Sequence, residues 1–136
     1  MELNSYLLFD GHCEEAFKFY ERALGGKKLE LMRMSEVPAS NQMPGSNPNH
    51  IMHARIRIGD GSLMGNDVPK EHYKRPQGFH VSLSVETPAE AERIFAELAK
   101  GGEISMQITE TFWAQRFGMV TDKFGVPWMV NCNKPM

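Results

Sequence analysis

The chain reads as an α+β protein of two tandem βαβββ modules, residues 1–66 and 79–136, joined by a connector over 67–78 within one domain. Three observations predict this. Strand-like and helix-like periodicities follow one another as strand, helix, strand, strand, strand, and the order then recurs. Identical residues stand 76 positions apart at Leu7/Leu83, Glu14/Glu90, Phe19/Phe95, Glu21/Glu97, Ala23/Ala99, Gly25/Gly101 and Gly26/Gly102, clustered around both helix ends. A fixed offset of this kind marks an internal repeat. At the module ends the offset shortens, pairing Leu63-Met64-Gly65-Asn66 with Trp128-Met129-Val130-Asn131.

Each element of the first module has a local cause. Leu3 to Phe9 is apolar, aromatic and weakly alternating, a strand closed by Asp10-Gly11. Cys13, Ala16, Phe17, Tyr20 and Leu24 fall at helical spacing, with Glu14 and Glu15 in the first turn facing the positive end of the helix dipole. Gly25-Gly26 stops that helix. Lys27 to Met34 reads as a second strand. Ser35 to Asn49 then has no periodicity, and a loop of that length in a small domain is a lid, a binding loop or a disordered segment. Ile51–Ile58 and Ser62–Asn66 form a hairpin through Gly59-Asp60-Gly61.

The second module repeats the plan. Phe79, Val81, Leu83 and Val85 alternate with His80, Ser82 and Ser84, which predicts a strand with one core face and one face open to ligand or water. Thr87-Pro88-Ala89-Glu90 joins an N-cap Thr, a first-turn Pro and a Glu three residues on, a capping box. Ala91, Ile94, Phe95 and Leu98 make the apolar stripe, and Gly101-Gly102 ends the helix. Ile104 to Thr111 sets Ile104, Met106 and Ile108 against Ser105, Gln107 and Thr109. Asp122 and Gly125 bracket a turn between Phe117–Thr121 and Val126–Cys132. Pro127 cannot donate to a ladder, so its strand is an edge there or begins just beyond it. Alternation puts Trp128, Val130 and Cys132 on one face and Met129 and Asn131 on the other, with Trp128 in the core.

Composition narrows the function. A formal charge of -2 with no basic run gives no electrostatic case for nucleic acid or an anionic membrane, and no apolar run approaches a membrane span. The start, Met-Glu-Leu-Asn, lacks a basic segment followed by an apolar one, so a cytoplasmic protein is expected. Cys13 and Cys132 form neither a CxxC pair nor a disulfide framework. Cys13 stands near a helix start, where it is either a thiol made acidic by the dipole or a small buried apolar residue.

Two βαβββ units in tandem resemble the vicinal oxygen chelate superfamily of glyoxalase I, bleomycin resistance proteins and extradiol dioxygenases. The resemblance rests on Phe19-Tyr20 with Ala23-Leu24-Gly25, on His80-Val81-Ser82-Leu83-Ser84-Val85 with Ala89-Glu90-Ala91, and on Asp122-Lys123-Phe124-Gly125. Tyr6-Leu7-Leu8-Phe9-Asp10-Gly11, Phe112-Trp113-Ala114 and Lys123 through Asn131 further resemble the PhnB-like branch, often labelled a demethylubiquinone methyltransferase domain. The resemblance implies a mixed sheet curled around a cleft, a homodimer, and a small organic ligand. It carries the positions of the metal ligands of metal-dependent members onto Asn4 (or Ser5), Met64, His80 and Met129. Only His80 among them is an ordinary ligand for a divalent ion, since thioethers prefer copper(I), so no metal and no other cofactor is expected.

The expected cleft lining is Asn4, Tyr6, Met64, Asn66, His80, Trp113, Arg116, Met129 and Asn131. Tyr6 shares the parity of Asn4, and Asn66 and Asn131 share the faces of the two methionines. His80 is the candidate general base, since imidazole titrates near working pH. A metal-dependent lyase, isomerase or dioxygenase using His80 is the alternative. Trp113 lies in a loop, where a ligand or a partner subunit should cover it, and Arg116 and Glu110 beside it could hold a carboxylate or an amine, or pair at the surface. His50 and His53 point to opposite faces of a strand, and His12 and His72 are expected to be solvated. No Gly-rich loop leads from a strand into a helix with dinucleotide or phosphate spacing, so a methyltransferase label gains no support from a cofactor motif.

Overall fold

Both helices form where apolar spacing and end signals coincide. In the computed structural model, which describes residues 1–42 and 46–135, α1 spans Cys13–Leu24 and α2 spans Pro88–Ala99. Gly25 takes a left-handed φ of 68° to close α1. The Thr87 hydroxyl accepts from the Glu90 N–H at 3.2 Å to open α2. The chain divides into two compact units, Met1–Lys74 and Arg75–Met136, with the division inside the connector.

In the first unit β1 (Ser5–Phe9), β2 (Lys27–Arg33), β3 (Ile51–Ile58) and β4 (Gly61–Asp67) form a sheet in the order β1-β4-β3-β2. β1 runs parallel to β4, and the other pairs are antiparallel. The second unit repeats the order with β5 (Val81–Ser84), β6 (Glu103–Thr109), β7 (Ala114–Thr121) and β8 (Pro127–Asn133), as β5-β8-β7-β6 with β5 parallel to β8. This is the expected α+β architecture: two four-stranded mixed sheets, each with one helix on one face. Among the described residues no helix is long and apolar enough to cross a membrane.

Each sheet carries a glycine beneath an aromatic ring of its helix. A Cβ on Gly65 would lie 3.1 Å from the Phe17 ring and 2.6 Å from the Leu7 carbonyl oxygen. One on Gly118 would lie 2.6 Å from the Phe95 ring and 2.9 Å from Ile108 Cα. Leu7, Phe9, Phe17, Ala54 and Ile56 fill the first core, and Ile94, Phe95, Val120, Trp128 and Val130 the second. Trp128 is fully buried, as its alternation predicted, and β8 begins at Pro127, where a missing N–H breaks no ladder.

Two buried carboxylates tie segments together. Asp67 at the end of β4 accepts from the Cys13 N–H at 2.9 Å and the Ile51 N–H at 2.8 Å, so it satisfies the first turn of α1 and the start of β3. Asp122 accepts through Oδ1 from the N–H groups of Phe124 (2.9 Å) and Val126 (3.0 Å), and through Oδ2 from Trp128 Nε1 at 2.9 Å.

Three expectations need correction. Asp67 belongs to β4, because its carboxylate is held by backbone donors remote in sequence. β5 starts only at Val81, after Gly78 at φ 84°, so Phe79 precedes the strand and is 48% exposed instead of joining the core. β6 is irregular between Ile104 and Met106 and again between Met106 and Thr109, which breaks its simple alternation. Part of the loop Ser35–Asn49 is ordered by short 3₁₀ turns at Met34–Glu36 and Ala39–Asn41, and its ends meet through Met34 N–H to His50 O at 2.8 Å. Residues 43–45 of that loop lie outside the described residues.

Candidate functional site

With α1 and α2 each covering one face, chemistry is left to the helix-free face of each sheet. In the first unit Met64 on β4 stands in register between Tyr6 on β1 and Arg55 on β3, and Leu8 is opposite Asn66. Three expected lining residues, Tyr6, Met64 and Asn66, thus share one face. Partial burial pushes the Tyr6 phenol up, so it stays a neutral O–H donor. Its ring lies 6.1 Å from that of His53. Asn66 Nδ2 donates to the Asp67 carbonyl at 2.8 Å. Asn4 precedes β1 and is half-buried.

In the second unit the irregularity in β6 places Met106 opposite Met119, and Met119 is opposite Met129, which is opposite Ser82. Three methionines therefore cross three adjacent strands in one row. A second row runs Ser84, Asn131, Phe117, Thr109. Trp113 packs edge-on against Phe117 at 5.3 Å between ring centroids and against Phe112 at 4.9 Å, so it adjoins this face while remaining 44% exposed. Met129, Asn131 and Trp113 are thereby gathered. Met106, Met119 and Phe117 share this face and were not among the residues expected on it. For Met119 the signal was present, since counting back across the Asp122–Gly125 turn sets it against Met129.

Two expected residues stand apart from this row. Arg116 goes to the helix side of the sheet, where Nε pairs with Glu92 of α2 at 2.9 Å and Nη1 donates to the Gln115 carbonyl at 2.6 Å. Glu110 pairs with Lys134 at 2.9 Å, which holds its carboxyl below the usual range. Both are thus engaged as surface ion pairs. His80 lies just before β5, exposed, and makes no hydrogen bond or ion pair among the described residues. The Cys13 thiol is fully buried, and desolvation pushes it well up, with the carboxylates of Asp67 and Glu14 adding to the shift. Of its two readings, the small buried apolar residue is the one its surroundings impose.

The donor set does not suit a hard divalent ion. Of the positions to which the resemblance carries metal ligands, the first unit supplies Asn4 and Met64, and the second His80 and Met129. Such ions take imidazole, carboxylate and water, and a thioether is a poor substitute. Among the described residues no three His, Cys, Asp or Glu side chains gather closely enough to hold an ion.

Comparisons with known proteins agree with this architecture. Residues 2–130 match the family model of the Glyoxalase/Bleomycin resistance protein/Dioxygenase superfamily. Protein YjdN of Escherichia coli (strain K12) is 39% identical over 98% of this chain and 97% of its own length. The crystal structure of protein PA1353 from Pseudomonas aeruginosa superposes with a TM-score of 0.89 at 43% identity, covering 99% of both chains. The PhnB protein from Bacillus cereus, a putative 3-demethylubiquinone-9 3-methyltransferase, shares the fold at a TM-score of 0.78 and 24% identity, over 97% of this chain and 99% of its own. Repeat, sheet order and sequence match lead to one conclusion: the chain belongs to the glyoxalase/bleomycin resistance protein/dioxygenase superfamily.

Proposed function

We propose that this protein binds a small organic molecule without a catalytic metal, and that the ligand lies on the helix-free face of the second unit. The observation that carries the reading is the row Met106, Met119, Met129, bounded by Phe117 and Trp113. Methionine side chains are flexible and polarizable and make favourable sulfur–aromatic contacts, so a row of them suits a planar apolar body. Tyr6, Met64 and Asn66 give the first unit a related face, with a phenol as donor. The protein is further proposed to work in the cytoplasm, where its two free cysteines stay reduced, and as a homodimer, since Phe112 is 89% exposed beside Trp113 and large aromatic groups at a surface favour a cover.

Native mass spectrometry of protein purified from its own host tests these points together. The expected spectrum is a dimer carrying an organic adduct and no stoichiometric metal. Stoichiometric metal that disappears in His80→Ala would replace this reading with a metal-dependent lyase, isomerase or dioxygenase. A monomer at micromolar concentration would remove the homodimer.

A further inference from the structure

Asn131 lies two residues beyond Met129 on β8 and therefore shares its face. Its Nδ2 donates to Asn133 Oδ1 at 2.6 Å. Its backbone carbonyl already accepts from the Val85 N–H at 2.8 Å. Its side-chain Oδ1 is closed off from solvent and meets no donor; among the described residues no other buried side-chain polar atom is in this condition. A bare buried acceptor is costly, and native proteins keep few of them without a reason. Asn66, the counterpart of Asn131 in the repeat, shows no such bare atom.

The geometry points to Asn131 Oδ1 as the polar anchor of the ligand face, accepting a hydrogen bond from the N–H or O–H of an uncharged planar aromatic whose body lies along Met129, Met119 and Met106. This inference rests on the binding role proposed above and adds the chemical class of ligand. The row through Asn131 places Ser84 on one side and Phe117 on the other, and neither row contains a charged side chain. A charged ligand lying along these two rows would lose hydration and meet no countercharge in either of them. An uncharged N–H heterocycle or a phenol loses little and satisfies the amide oxygen. A pocket built around one hydrogen bond rejects the analogue that lacks it, because the protein atom is then left unpaired.

Indole and 1-methylindole test this, since they share a flat body and differ in the donor. The protein is labelled with ¹³C at the methionine methyls, and Met106, Met119 and Met129 are assigned through single Met→Leu variants. Each probe is then titrated by NMR. Indole should shift the three methyls and bind about five- to tenfold more tightly than 1-methylindole. Asn131→Leu should bring the two probes to equal affinity, while Asn131→Asp, which keeps an acceptor in place, should retain the preference for indole. Equal affinity in the unaltered protein would overturn the anchor and leave the methionine face standing as a binding surface. A preference that persists in Asn131→Leu would overturn it as well. If neither probe moves any of the three methyls, the binding face itself fails, and the anchor with it.

Discussion

Replacing Asp122 tests whether one buried carboxylate holds the second unit together. Its oxygens take up three N–H groups, two of them buried, those of Val126 and the Trp128 indole. Asp122→Ala removes this acceptor from both. Each buried donor left without an acceptor costs about 1–3 kcal/mol, while Phe124 N–H can turn to water, so the expected loss is roughly 2–6 kcal/mol. That is a large fraction of the roughly 5–15 kcal/mol by which a domain is stable. Asp122→Asn keeps one oxygen for the turn but sets an amide N–H against the indole N–H, for a loss of about 1–3 kcal/mol. Urea unfolding followed by far-UV circular dichroism measures all of these, because Trp128→Phe also removes a fluorophore. In the Trp128→Phe background Asp122→Ala should cost about 1–3 kcal/mol less than in the unaltered protein, since one stranded donor is already gone. A loss below about 1 kcal/mol for Asp122→Ala, or no coupling with Trp128, would refute the claim that these bonds are sealed from water.

Two further predictions concern packing and charge. Gly118→Ala should cost about 1–3 kcal/mol in the same assay, because the added methyl meets both the Phe95 ring and the backbone of β6; a neutral result would mean that α2 can lift off its sheet freely. Glu14, held below its usual range by hydrogen bonds from Arg33 (2.7 and 2.8 Å) and by Lys18 (3.0 Å), contributes stability above the ordinary carboxylate pKa. That contribution fades as pH falls through the lowered value. Arg33→Ala should therefore destabilise at neutral pH, and its difference from the unaltered protein should shrink on acidification; a difference independent of pH would refute the pairing.

What the sequence disclosed is what short-range rules control. The bounds of α1 and α2 follow from apolar spacing, a capping Thr and terminal glycines, and the Asp122 turn follows from an Asp bonding two residues on, as its contact with Phe124 N–H shows. What escaped depends on partners distant in the chain. Asp67 looked like linker because the groups it satisfies, at Cys13 and Ile51, lie 54 and 16 residues away. The methionine row escaped because irregular pairing in β6 shifts Met106 into register with Met119, and no alternation rule foresees an extra residue. For the candidate site, Tyr6, Met64, Met129 and Asn131 could be assigned a face from parity alone. Phe117 and Met119 needed the hairpin register, and Arg116 was lost to an acid on α2 that only the fold brings near.

Asp67 also bears on how the first unit forms. Its bond from the Ile51 N–H closes within the β3–β4 hairpin, but its bond from the Cys13 N–H joins segments 54 residues apart, on the side where β4 runs parallel to β1. Contacts between such remote segments slow a folding reaction. Where a contact of this kind closes after the folding barrier, it retards escape from the native state more than it hastens arrival.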